Sequence, residues 1–141
     1  MPGIVVGVDG SEYSERVLEW AMKEAVLRQT PLTVITVHQI ASSAWTGSPI
    51  IYPEDKVEQE KARQAADEEV NRVSSRLDAK PPSVAISAVN GLAAKSLIDA
   101  SADADLVVVG AQGAGGFAGM LMGSVSSHVV HHAACPVVVV R

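Results

Sequence analysis

The segment Gly110 to Ser127, Gly-Ala-Gln-Gly-Ala-Gly-Gly-Phe-Ala-Gly-Met-Leu-Met-Gly-Ser-Val-Ser-Ser, has the residue types that hold phosphate. Six glycines lie from Gly110 to Gly123, and serines follow at 124, 126 and 127. Glycine has no Cβ, so the backbone can close on a ligand there. An apolar run, Leu106–Val109, precedes the segment, and a helical pattern, Ser124–His132, ends it. A glycine-rich turn that opens a helix offers an anion unpaired N–H groups and the positive end of the helix dipole. Beyond Asp105 there is no Asp or Glu to repel an anion. Residues 106–140 also contain no Lys or Arg, so amides and hydroxyls must do the holding.

Asp9 is the second candidate. It ends the run Ile4–Val8 and begins Asp9-Gly10-Ser11. A carboxylate at that strand end can meet a ligand, or can simply make a turn or cap a helix. His128, His131 and His132 are spaced i, i+3 and i+4, with Cys135 nearby. A zinc site is a weak reading, because no second ligand cluster accompanies them, and the helix dipole alone favours His near a C-terminus. His38 reads as a strand-end residue without a catalytic role. Cys135, before Pro136 and an apolar strand, reads as a buried inert thiol.

Other nucleotide motifs fit poorly. No Gly-Lys pair exists, so there is no P-loop lysine. Gly113 to Ala118 matches the loose G-x-G-x-x-A form, yet no acid lies about 20 residues on to bind a ribose.

Regular elements must position these residues. Ile4–Val8 reads as the first strand. Ser11 or Ser14 can cap the helix that follows, whose inner face is Val17, Leu18, Ala21, Met22 and Ala25, and Pro31 stops it. Leu32–His38 is a second strand, and 39–53 a long loop of the kind that often serves as a lid. Glu54–Leu77 is a helix with Ala62, Ala65, Ala66, Val70, Val73 and Leu77 facing inward. Its charges, including Glu58, Glu60, Lys61, Glu68, Glu69, Arg72 and Arg76, read as a solvated face with i,i+4 pairing. Ser83–Val89 is a third strand ending at Asn90-Gly91, 92–102 a short helix, Leu106–Val109 a fourth strand and Val137–Val140 a fifth. Strands alternating with helices specify an α/β fold, an open parallel sheet with helices on both faces. Ligands of such sheets sit at the carboxyl ends of the strands. If strands one and four are neighbours, Asp9 and Gly110 meet at one crevice.

Composition narrows the classes. A chain of 141 residues, 48% hydrophobic and 19% charged, is ordered and of single-domain size, spanning 1–141. The net charge of −5 and 4% aromatic content argue against a nucleic-acid surface. No apolar run approaches the roughly 20 residues of a membrane span. The start, Met-Pro-Gly-Ile-Val-Val, has no basic n-region, and one cysteine cannot form an internal disulfide. A cytoplasmic protein is expected.

The spacing Gly110-x2-Gly113-x9-Gly123-Ser124 resembles the ATP-binding signature of the universal stress protein family. The opening Ile-Val-Val-Gly-Val-Asp-Gly-Ser, the run Ala104–Gly110, Gly123–Ser127, His132-Ala133 and Cys135–Val140 resemble that family's pattern over the whole chain. The resemblance implies a Rossmann-like sheet of five strands in the order 3-2-1-4-5, similar to adenine nucleotide alpha hydrolases. It implies an adenine nucleotide, usually ATP, with Mg²⁺ near Asp9. Gly7 and Asp9 then border the adenosine, and Val37 offers backbone groups to the adenine. Gly110, Ala111, Gln112, Gly113, Ala114, Gly115 and Gly116 line the ribose and first phosphates. Gly123, Ser124, Val125 and Ser126 hold the outer phosphates.

Phosphoryl transfer normally needs a base, a cation and often an arginine near the γ-phosphate. The candidate site supplies only Asp9, so slow or negligible hydrolysis is expected. The expected role is a stress-response regulator in which nucleotide orders the glycine segment and the 39–53 loop for a regulatory partner to read. The apolar fifth strand, left as an edge, favours a homodimer through Val137–Val140, which the resemblance also implies. Two alternatives stand beside this: a binder of AMP or cyclic AMP, and a ligand-free dimeric interaction module.

Overall fold

The computed structural model describes residues 3–39, 41–42, 49–50, 52–111 and 123–141. Five parallel strands form the sheet: β1 (Ile4–Val8), β2 (Leu32–Gln39), β5 (Val84–Gly91), β6 (Leu106–Gly110) and β7 (Val137–Val140). Their order is β5-β2-β1-β6-β7. Counted as the five long strands, this is 3-2-1-4-5, as expected. The central strands are nearly continuous in Val, Ile and Leu because helices cover both faces. Helices α1 (Glu12–Arg28) and α2 (Pro53–Ser75) pack on one face, over Ile4, Val6, Val34 and Val108. Helices α3 (Ala93–Ser101) and α4 (Ser124–His132) pack on the other, over Val5, Ile35, Val107 and Val109.

The caps show why these elements begin and end where they do. Ser11 is the N-cap of α1, and its Oγ accepts from the Ser14 N–H at 3.2 Å. Glu12 and Glu15 in the first turn and Arg28 in the last complement the dipole. The helix ends at Gln29, in the left-handed region at φ 53°, before Pro31 is reached. Pro31 instead lends its carbonyl to the Ile4 N–H at 3.0 Å, joining the start of β2 to the start of β1. Pro53 begins α2 one residue ahead of the expected Glu54, because a helix's first residue needs no N–H partner.

Most other ends lie within one or two residues of expectation, and two differences have structural causes. β5 runs on through Asn90 and Gly91, because β2 is long enough to pair them with His38 and Gln39. Within the expected 39–53 loop, β3 (Ala41–Ser42) pairs antiparallel with β4 (Pro49–Ile50). The excursion leaves β2 and must return to α2, which packs beside it, so its two arms run side by side.

Candidate functional site

Strand β1 lies between β2 and β6, with Ile4 beside Leu106 and Val6 beside Val108. The chain turns to one side of β1 through α1 and reaches the other side later, through α3. This is a topological switch point, where such sheets hold ligands. Asp9 leaves β1 and Ala111 leaves β6 at the same sheet end, on adjacent strands. The expected meeting of these two segments therefore holds at the level of the strands. Gln112, Gly113, Ala114, Gly115 and Gly116 lie outside the described residues.

A cleft of about 300 Å³ opens at the carboxyl ends of β1 and β2. Val8, Asp9 and Gly10 form one side, and Thr36, Val37 and His38 the next. Helix α2 forms the third wall, with Ala62, Ala65 and Ala66 presenting only methyl groups. Small side chains on that stretch of helix keep the space open. Its volume lies at the lower end of the range for small-molecule pockets.

Asp9 is exposed, and its Oδ1 accepts from the Ser11 N–H at 3.0 Å and the Ser11 hydroxyl at 2.6 Å. Gly10 follows at φ +80°, a conformation that L side chains rarely adopt. The turn thus fixes the carboxylate in the cleft lining. One such carboxylate suits Mg²⁺, which usually takes one or two from protein and the rest from phosphate and water. Among the described residues, no group of three His, Cys, Asp or Glu could hold a metal ion by itself.

Gly7 and Gly110 have packing reasons of their own. A Cβ on Gly7 would lie 3.0 Å from Leu97 Cδ1 of α3. One on Gly110 would lie 2.9 Å from Tyr13 Cε1 and 3.0 Å from Val17 Cγ2. Ala111 is buried, and its N–H donates to the Val140 carbonyl at 2.9 Å. That amide is therefore engaged within the protein.

At the start of α4, Gly123 is the N-cap and has no side-chain capping bond. The first N–H groups of a helix have no intrahelical acceptor, so this end has the form of an anion site. Ser124 is exposed. Val125 packs toward the core under α3. Ser126 is buried, and its hydroxyl donates to the Gly123 carbonyl at 3.1 Å and the Ala111 carbonyl at 3.4 Å. Its hydroxyl is therefore engaged within the protein.

The charged residues of α2 are exposed as expected, except Glu69 and the half-buried Asp55. Glu69 is 2% exposed, lines the cleft and accepts from the Ser14 hydroxyl at 2.6 Å. Burial pushes its carboxyl pKa up, against the opposing pull of that hydrogen bond. Its burial has a plain cause: Ala66, Glu69, Val70 and Val73 form one i, i+3, i+4, i+7 stripe, the buried face of the helix. That spacing was the signal available in the sequence. Arg72 and Arg76 reach across to Glu15 and Glu19 of α1, at 2.9 and 3.5 Å, instead of pairing along α2. Ala65, expected inside, is exposed at the cleft.

His38, at the end of β2, is bonded through Nε2 to Asp55 Oδ1 of α2 at 2.9 Å. The other Asp55 oxygen accepts from the Tyr52 N–H at 2.7 Å. These bonds, the Tyr52 amide first, hold the Asp55 pKa below its usual value. The His128 and His132 rings lie with centroids 5.3 Å apart and planes tilted by 36°, while His131 bonds to the Ser127 carbonyl. Cys135 is half-buried, and burial raises its thiol pKa, as an inert thiol requires.

No helix among the described residues is long and apolar enough to cross a membrane.

Comparison with known proteins follows the same outline. The sequence profile of the universal stress protein family matches residues 2–141. A universal stress protein of Mycobacterium tuberculosis strain H37Rv is 37% identical over 140 residues, covering 99% of this chain and 47% of that protein. The chain thus spans about half the length of the curated relatives it matches. The universal stress protein UspA from Lactobacillus plantarum superposes with a TM-score of 0.81 at 24% identity, over 99% of this chain and 97% of that one. A universal stress protein from Archaeoglobus fulgidus, solved in complex with dAMP, gives a TM-score of 0.62 at 25% identity, over 100% and 98%. The family profile, the curated relatives and the 3-2-1-4-5 sheet agree: this chain belongs to the universal stress protein family.

Proposed function

We propose that the chain binds an adenine nucleotide, ATP with Mg²⁺, across the carboxyl ends of β2, β1 and β6. The observation that carries this is the adjacency of β1 and β6. It sets the Asp9 turn, which lines the cleft, beside the strand from which the glycine segment departs. Val37 borders the adenine, Asp9 the ribose or the metal, and the N-terminus of α4 the outer phosphates. Gly113 and its neighbours complete the cradle. Nucleotide then orders the glycine segment, and the ordered surface is what a regulatory partner reads. Among the described residues no Arg lines the cleft, and without that transition-state cation turnover falls well below the roughly 1 s⁻¹ of ordinary kinases. The edge strand β7 pairs with its counterpart in a second copy.

A monophosphate is the second reading, favoured by the dAMP complex of the Archaeoglobus relative. Mass spectrometry of ligand released from the purified chain tests both. ATP supports the first reading and AMP or cyclic AMP the second. Failure of any adenine nucleotide to bind, in release or in titration, would leave only an interaction module. Titration of Gly113→Val locates the site, and unchanged affinity would remove the glycine segment from it.

A further inference from the structure

The cleft carries more acid than base. Asp9, Glu58 and Glu69 line it, against Lys61 and His38. An entering anion would meet three carboxyl groups, but their surroundings differ. Glu69 is 2% exposed, and burial favours its neutral form. Glu58 is held by Lys61, with Nζ 3.3 Å from Oε1. The His38 ring is bonded to Asp55. Among the described residues, Lys61 is the one Lys or Arg that lines the cleft.

The Lys61–Glu58 pair is built to yield. Its side chains are 67% and 49% exposed. Exposed pairs of this kind contribute at most about 1 kcal/mol. A phosphate carries more charge than a carboxylate and attracts an ammonium more strongly at equal distance. Ala62 and Ala65 stand beside Lys61 on the cleft wall, and their short side chains leave the four-carbon stem of the lysine a path inward.

We infer that Lys61 is the residue by which this cleft selects phosphorylated ligands, with Glu58 as its resting counter-ion. The phosphate nearest the ribose, on the Asp9 side of the cleft, displaces Glu58 from the ammonium and takes its place, while the outer phosphates lie at the start of α4. The inference rests on the adenine-nucleotide reading and adds a discrimination to it: nucleotide over bare nucleoside. It also assigns Glu58 an opposing role, since its carboxylate competes with the ligand for the same cation.

Calorimetric titration of the full chain with ATP and with adenosine, at low and moderate salt, tests this. Lys61→Met should weaken ATP binding about two- to fivefold, on the scale of one exposed charge contact. It should leave adenosine unchanged and flatten the salt dependence of ATP binding. Lys61→Arg should restore most of the loss. Glu58→Gln should tighten ATP binding, and should have no effect once Lys61 is Met. If Lys61→Met leaves ATP affinity intact, or weakens ATP and adenosine equally, the inference is overturned and the nucleotide reading stands. If the unaltered chain binds neither compound, both are overturned.

Discussion

The Tyr13 hydroxyl donates to the Val140 carbonyl, so the first turn of α1 is tied to the last residue of β7. The ring of the same tyrosine fills the space that a Gly110 side chain would take. One residue therefore joins the turn after β1, the end of β6 and the edge strand. Tyr13→Phe keeps the ring and removes the bond. It should cost about 1 kcal/mol in urea unfolding, the worth of one hydrogen bond. Gly110→Ala should cost about 1–3 kcal/mol, because its Cβ must displace the ring. Equal stability of Gly110→Ala and the unaltered chain would contradict this packing.

Glu69 makes stability depend on pH. Its pKa is raised in the folded state above the ordinary 4.5. Below 4.5 both states hold the proton and nothing is lost. As pH climbs through the window above 4.5, the unfolded chain releases its proton while the folded chain keeps it, so stability falls. Glu69→Gln keeps an acceptor for Ser14 and removes the titration. Its stability relative to the unaltered chain should rise between pH 4 and pH 7. A difference that is the same at both pH values would count against it.

Asp55 behaves with the opposite sign. Its pKa is lowered from 3.8, so the hold it exerts on Tyr52 and His38 is complete above 3.8 and lost as pH falls through the lowered value. Asp55→Ala should speed hydrogen exchange in the first turn of α2 at neutral pH, with α1 unaffected. Unchanged exchange in that turn would show that the contacts do not restrain it.

Pairing of β7 across a two-fold axis can be separated from pairing within the sheet. Pro136 and Val140 accept from Val107 and Ala111, so the carbonyls of even-numbered residues face β6. The backbone groups of Val137 and Val139 therefore face outward. Val139→Pro removes an outward N–H and leaves the β6 ladder intact. The unaltered chain should sediment as a dimer and the variant as a monomer with the same circular dichroism. A monomer in both cases would defeat the proposed pairing.

Strands β1, β6 and β7 were legible as short runs dominated by Val, Ile and Leu, and β5 as an alternating run. The switch point followed from their alternation with helices and from the family resemblance. The ribbon of Ala41–Ser42 with Pro49–Ile50 was not legible, since two-residue strands pair only where β2 and α2 hold their ends. Glu69 was readable from its place between Ala66 and Val73 but was masked by the charges around it. Lys61 had no local signal. Its place at the cleft depends on how α2 crosses the strand ends, which no spacing within α2 encodes.

Helix α2 has no buried residue from Pro53 to Ala65, while Ala66, Glu69, Val70 and Val73 are buried beyond it. The first part is fastened instead by polar contacts: His38 to Asp55, and Gln59 to the Ala88 carbonyl and Asn90. Substitutions between 56 and 65, outside those contacts, disturb neither core. The lining of the cleft can therefore change along one helix wall while the folding of the domain is left to the other half. In this helix the shape of an opening and the strength of a fold are set by largely different residues, so a change in one need not weaken the other.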